Sequence, residues 1–289
     1  MKDAVVVKDV TKRYKGFTLD HASFRVPQGS IVGFVGENGA GKSTTIRAIL
    51  DLIRLDGGEV EVLGLNAQER QDAAWRENIG AVFDTGHIPD YLTVEQIDRV
   101  MGAVYRQWER DTFQNFVRRF SLPAKKKYKD FSRGMRMKLS LAVAMSHGAR
   151  LLVLDEATSG LDPIVRDEIL DLFLEFIQEE DHSILISTHI LSDLEKAADY
   201  IVFIHQGRVL FEEEKDRLLE NYGIVHCTAE QAERLPQELT AGRRDNRFGT
   251  DVLVRDRRKA AMQFPGLALD PASIEDIMLY LAKKEGRIS

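Results

Sequence analysis

The 289-residue sequence predicts an α/β fold built on a mostly parallel sheet, and three features carry that prediction. Short, continuously apolar runs such as Ile31–Val35 and Leu151–Leu154 have the pattern of strands buried on both faces. Helical patterns separate such runs, which is the alternation that parallel strands with crossover helices require. A glycine-rich stretch, Gly36–Gly41, lies directly between an apolar strand and a helical pattern.

The elements follow in order. Ala4–Val7 is a β-branched run, and Leu19–Val26 alternates polar and apolar residues with Phe24 and Val26 on one face. Pro27-Gln28-Gly29 is a turn before the strand Ile31–Val35. Lys42–Leu55 reads as a helix closed by Asp56-Gly57-Gly58, and Glu59–Leu63 and Ile79–Phe83 read as strands. From Leu92 to Met145 the spacing is helical, in Val94, Ile97, Val100, Met101 and Val104 and again in Phe113, Phe116, Val117 and Phe120. Pro123 and Lys125-Lys126-Lys127 interrupt it, and the whole stretch reads as an insertion into the α/β core. Strands return at Leu151–Leu154, Ile184–Ile186 and Tyr200–Ile204, with a helix between the first two striped by Val165, Ile169, Leu172, Phe173, Phe176 and Ile177. Past Asn221, Ile224–Thr228 and Asp251–Val254 read as short strands separated by the polar, arginine-bearing Gly242–Arg247. Ser273 with Asp276 forms a capping pair for a last helix, whose apolar face is Ile274, Ile277, Met278 and Leu281. Residues 222–289 therefore predict a small α+β accessory domain, and residues 1–221 the main one.

Composition excludes several classes. The formal net charge is −6 and the sequence pI about 5.7, so a general nucleic-acid binder is not expected. The single cysteine, Cys227, rules out an intramolecular disulfide and a cysteine-built metal cluster. No apolar run approaches the roughly 20 residues of a membrane span, and Met1-Lys2-Asp3 does not open a signal peptide. The expectation is a cytoplasmic protein, or one held at a membrane through a partner.

The chemistry lies in two motifs. Gly36-Glu37-Asn38-Gly39-Ala40-Gly41-Lys42-Ser43 fits G-x-x-x-x-G-K-[ST], with the strand before it and the helix after it that the pattern requires. Its glycines let backbone N–H groups converge on a phosphate, and the helix start adds its positive dipole end. Lys42 can reach β- and γ-phosphates, Ser43 can ligate Mg²⁺, and Thr44 can help hold the α/β-phosphates. Leu151–Glu156 supplies the second half: Asp155 would hold Mg²⁺ through water, and Glu156 would polarise an attacking water as general base. Nucleoside triphosphate hydrolysis is the leading chemistry, and the Asn-Lys-x-Asp guanine reader that a GTPase should carry is absent.

Three further stretches complete the pattern: Phe131-Ser132-Arg133-Gly134-Met135-Arg136, Ser159-Gly160-Leu161-Asp162 and Ser187-Thr188-His189. In this order, over about residues 4–220, the chain resembles the ATP-binding subunit of bacterial ABC transporters, particularly the single-domain subunits similar to export and multidrug-resistance systems. The resemblance implies a P-loop NTPase core with an N-terminal antiparallel β subdomain and a helical subdomain inserted at about residues 85–148. It implies a head-to-tail dimer, with itself or with a similar subunit, that sandwiches two ATP·Mg²⁺. It implies an integral membrane permease as partner and a place on the inner face of the cell membrane. Tyr14 matches the aromatic that stacks on adenine. Ser132 and Gly134 match the signature loop that contacts the γ-phosphate of the other subunit's ATP. Asp162 matches the loop that crosses the dimer interface, and His189 the switch histidine at the γ-phosphate.

Family translation factors carry two such units, and DNA-repair members place a long coiled coil between the halves of the site. Here there is one unit, and no heptads are sustained between Lys42 and Asp155. Two departures from the family pattern keep open a soluble ATPase with weak hydrolysis and a regulatory or scaffolding role. Arg133 stands where the family has Gly, with Met135 in place of Gln, and Asp84 stands where the family has Gln. Asp84 can still bind Mg²⁺, but it lacks amide donors and adds negative charge beside ATP. The expectation is altered turnover: Asp84→Gln changes kcat in a purified ATPase assay, and unchanged kinetics would remove Asp84 from the account.

Overall fold

The computed structural model describes residues 2–66, 74–83 and 88–285. The chain divides into two units, Met1–Glu212 and Glu213–Ser289. Asp84 lies outside the described residues.

In the first unit, β1 (Asp3–Tyr14) and β2 (Phe17–Pro27) pair antiparallel. β3 (Ile31–Val35) leads into α1 (Lys42–Ile49), and β4 (Gly57–Val62) returns to pair antiparallel with β1. β5 (Ile79–Phe83) is followed by α2 (Val94–Val104), α3 (Arg110–Arg119) and α4 (Arg133–Ala144). The chain continues through β6 (Leu151–Asp155), α5 (Pro163–Phe176), β7 (Ser183–Thr188), α6 (Leu191–Ala197), β8 (Tyr200–His205) and β9 (Arg208–Glu214). These build a three-stranded antiparallel sheet, β2-β1-β4, and a six-stranded sheet, β5-β6-β7-β3-β8-β9. The pairs from β5 through β8 in that second sheet are all parallel.

The continuous apolar runs do what their pattern demands: every residue of β3, β6 and β7 is buried. One core, including Val5, Phe24, Phe34, Ile46 and Leu151, joins the antiparallel sheet, α1 and the parallel sheet. The Phe24 and Phe34 rings stack across it at 5.0 Å. The segment between β5 and β6 is helical and has its own core, with Ile97, Phe113, Tyr128 and Leu139 at its centre. A Thr93–Gln96 capping box starts α2. Val100 and Val104, which the periodicity assigned to the inner stripe, are exposed.

The helix expected over Lys42–Leu55 stops at Ile49. Asp51 adopts a left-handed conformation (φ 54°), so its N–H reaches Ala48 O (3.1 Å) and the Leu52 N–H reaches Arg47 O (2.8 Å). These two bonds are a Schellman closure with Asp in the place usually given to Gly.

The second unit contains α7 (Lys215–Asn221), β10 (Gly223–Cys227), α8 (Ala229–Glu233), β11 (Thr240–Asn246), β12 (Gly249–Val254), α9 (Arg257–Gln263), β13 (Ala268–Pro271) and α10 (Ile274–Glu285). Its antiparallel sheet runs β11-β12-β10-β13 over a small core with Val225, Leu235, Val252 and Val254. The arginine-bearing stretch is thus mostly strand, as β11. The Ser273–Asp276 cap forms in both directions: the Ser273 N–H donates to Asp276 Oδ2 and the Asp276 N–H to Ser273 Oγ, each at 3.1 Å.

On this sheet His226 bridges two strands, with Nδ1 2.6 Å from Asp251 Oδ1 and Nε2 3.2 Å from Asp270 Oδ2. The hydrogen bond to Asp251, reinforced by Asp270, holds the imidazole pKa above its ordinary value of 6.5. A raised folded-state value gives stability that is fully present below the unfolded value and lost as pH rises through the folded one. The denaturation midpoint of the wild type relative to His226→Gln therefore falls as pH rises from about 6 to about 8. A difference that stays constant with pH would contradict the bridge.

Candidate active site

The phosphate loop joins β3 to α1 and is shaped by contacts that glycine permits. A Cβ at Gly36 would stand 2.3 Å from Ile204 O, so this position admits no side chain without moving β8. Gly41 takes φ 115° as the N-cap of α1, a backbone region that side chains avoid. The Ala40 N–H donates to Glu37 O (3.1 Å), and Ala40 O accepts from the Gly207 N–H (2.9 Å), which ties the loop to the turn after β8. Asn38, Gly39, Gly41, Lys42, Ser43 and Thr44 line a cleft of about 680 Å³. Ala40 is buried, and the Glu37 carboxylate lies 2.9 Å from Nδ1 of the buried His205.

Lys42 is 6% exposed, and its ammonium needs oxygen partners there. Nζ donates to Gly36 O (2.7 Å) and Glu37 O (3.3 Å) and lies 3.4 Å from Glu156 Oε1. Glu156 follows β6 with φ 55°, a left-handed conformation that costs a non-glycine residue about 1–3 kcal/mol. Strand β7 holds it in that conformation. The Glu156 N–H donates to Ser187 O and Ser187 Oγ, both at 3.1 Å, and Ser187 Oγ in turn donates to Asp155 Oδ1 at 2.6 Å. His189 follows β7 and places Nδ1 2.6 Å from Glu156 Oε2. Lys42, Glu156 and His189, from three separated motifs, thus meet at the cleft, Lys42 by an ion pair to Glu156 and His189 by a hydrogen bond to it.

The other predicted residues are placed differently. Tyr14 ends β1 and is 46% exposed, with Lys12 Nζ 5.5 Å from its ring centre. Gly16 and Phe17, rather than Tyr14, line the cleft beside the phosphate loop. Ser132 caps α4 by accepting from the Met135 N–H (3.3 Å), and Gly134 lies in the first turn of that helix. Neither lines the cleft. Asp162 caps α5 in the same way, accepting from the Val165 N–H at 3.0 Å. The Arg133 guanidinium lies over the backbone of Gly160 (φ 64°), so close that a Cβ there would stand 2.5 Å from Nη1. The signature loop and the Ser159–Asp162 loop therefore touch within one chain.

Sequence reasoning gave no role to Phe17, Ser159 or Ser187. Phe17 and Ser159 face the cleft, and Ser187 is buried behind it. The spacing of Ser187 two residues before His189 was the available signal. The residues fit Mg²⁺ with a triphosphate: Ser43 and Asp155 offer the hard oxygen donors that Mg²⁺ takes. A Cβ on Gly41 would approach Phe17 to 3.0 Å and narrow the cradle. Among the described residues no group of three or more His, Cys, Asp or Glu forms a metal cage of its own.

Comparison with known proteins identifies the family. The family model for ABC transporters matches residues 19–159. The chain is 34% identical over 221 residues to the bacitracin transport ATP-binding protein BcrA of Bacillus licheniformis, covering 75% of this chain and 72% of that one. It is 30% identical to the lantibiotic transport ATP-binding protein SrtF of Streptococcus pyogenes, over 73% of this chain and 90% of that one. Among solved structures, an ATP-binding subunit of an ABC transporter superposes with a TM-score of 0.68 at 28% identity, over 74% of this chain and 91% of that chain. A dimeric ATP-binding cassette in a post-hydrolysis state shares the fold, with a TM-score of 0.65 at 23% identity over 73% of this chain and 98% of that one. The chain belongs to the ABC transporter family, as an ATP-binding subunit with ATPase activity.

Proposed function

We propose that two copies of this chain, or one copy and a similar subunit, bind ATP·Mg²⁺ head to tail and drive a separate membrane permease. The observation that carries this reading is the Lys42–Glu156–His189 group at the mouth of the phosphate loop. Backbone N–H groups of the loop and the start of α1 receive the phosphates, and the Lys42 ammonium turns from Glu156 to the γ-phosphate. Tyr14 or Phe17 stacks on the adenine. Ser43 and Asp155 would hold Mg²⁺, which would neutralise phosphate charge when bound.

Once Lys42 is engaged by phosphate, the Glu156 carboxylate is released to orient a water in line with the γ-phosphorus and accept its proton. His189, hydrogen-bonded to Glu156, holds that carboxylate in place and offers its other ring nitrogen toward the phosphate. Ser132 and Gly134 supply a second set of N–H donors, at the start of α4, to the ATP bound by the other copy.

No helix among the described residues is long and apolar enough to cross a membrane. The proposed force-bearing contact is with a partner. That partner is an integral membrane permease, which places this subunit on the inner face of the cell membrane. The direction proposed is export, on the resemblance to export-type subunits; relatives similar to this chain are named for bacitracin and lantibiotic transport. Removing the base while keeping the shape tests the assignment. Glu156→Gln binds ATP, forms dimers, and loses turnover by about 10²–10⁴-fold. Turnover within a few-fold of wild type would overturn Glu156 as the base.

A further inference from the structure

Four buried side-chain polar atoms among the described residues lack a hydrogen-bond partner, and three of them stand together behind the cleft: Thr158 Oγ1, Arg166 Nε and Asp193 Oδ2. Asp193 is 3% exposed and Thr158 fully buried. Buried polar atoms are nearly always paired, so Arg166 Nε and Asp193 Oδ2 mark an arrangement short of its full set of bonds, with the Thr158 hydroxyl directed at the Asp193 carboxylate. The members almost meet. Asp193 Oδ1 lies 4.0 Å from Arg166 Nε, and the Thr158 hydroxyl faces the same carboxylate. A movement of about 1 Å brings the ion pair to hydrogen-bond distance. Burial raises the Asp193 carboxyl pKa, while Thr158, Arg166 and His189 act in the opposite sense.

The cluster sits between two loops that reach the reacting phosphate. Asp193 lies on α6, one helical turn past His189, and its N–H donates to Ile190 O (3.3 Å). Arg166 lies on α5, one turn past Asp162. Its backbone N–H donates to Asp162 O (3.0 Å), and its Nη2 to Leu161 O (3.3 Å). Thr158 belongs to the loop that starts at Glu156, and Arg133 of the signature loop presses on Gly160 in that same loop.

We propose that Asp193 and Arg166 are positioning residues: closing their pair locks the Glu156–Asp162 loop and the His189 loop into one reactive arrangement. This rests on the roles given above to Glu156 and His189. ATP bound in the cleft draws the two loops together, the pair closes, and Arg166 Nε gains the Asp193 carboxylate as its partner. Opening returns them to the slack state. The pair touches no substrate, so its loss falls chiefly on the catalytic step, and ATP affinity falls only by the smaller amount that coupling to loop closure carries.

The test is a double-mutant cycle on the full chain with Asp193→Asn and Arg166→Lys, which keep size and fold. Each single variant is expected to lower kcat by about 10-fold or more with KM for ATP within two-fold, because small misplacement of reacting groups is costly. The double variant is expected to be no slower than the worse single. A second measurement follows amide hydrogen exchange with and without ATP. In the wild type, ATP protects Thr158–Asp162 and His189–Asp193 together, and in Asp193→Asn both segments lose that protection. Single variants at wild-type kcat, effects that multiply in the double, or protection kept in one segment overturn the proposal. Glu156→Gln in the same assay separates the two readings. If it abolishes turnover while the cycle multiplies, the positioning role falls and the general base stands. If it keeps turnover, both fall.

Discussion

A lysine ammonium buried to 6% exposure must be given oxygens, and the site is arranged around supplying them. Two come from the phosphate loop itself, as Gly36 O and Glu37 O. The third is the Glu156 carboxylate, which arrives from the end of a different strand. That meeting sets the order of the sheet. β7 must lie between β3 and β6 so that Ser187 can hold the strained Glu156 backbone and the Asp155 carboxylate with one hydroxyl. The same strand then delivers His189. Without nucleotide, Lys42 and Glu156 neutralise each other, so the charges that serve phosphate chemistry are not left as unpaired buried ions.

The parts legible in the sequence were those where one local rule decides the structure. The strands β3, β6 and β7 showed as unbroken apolar runs because both their faces are covered. The phosphate loop was legible because its glycines answer a steric demand, as the Gly36–Ile204 approach makes plain. The Ser273–Asp276 cap was legible because its chemistry is local.

Other features depended on tertiary context. α1 ends at Ile49 because Asp51 accepts a left-handed conformation, which its residue type permits without announcing. β11 was hidden because it is an edge strand with just Ala241 and Gly242 buried, so its arginines masked the alternation. Phe17 faces the cleft because β2 begins beside the phosphate loop, which no spacing along the chain reveals. Asp193 and Arg166 match no motif. Asp193 is buried because α5 packs on α6, a contact between segments that sequence spacing does not couple.

One cleft is half of the machine this reading requires. Ser132 caps α4 and Gly134 lies in its first turn, and neither lines the chain's own cleft, so in the proposed reading the phosphate they hold is that of another copy. The most direct test introduces Asn38→Cys and Ser132→Cys together in a Cys227→Ser background, then oxidises with and without ATP·Mg²⁺. The account predicts a disulfide-linked dimer that forms with ATP·Mg²⁺ and requires both introduced cysteines. No cross-link, or one equally strong without nucleotide, would contradict a site completed in trans.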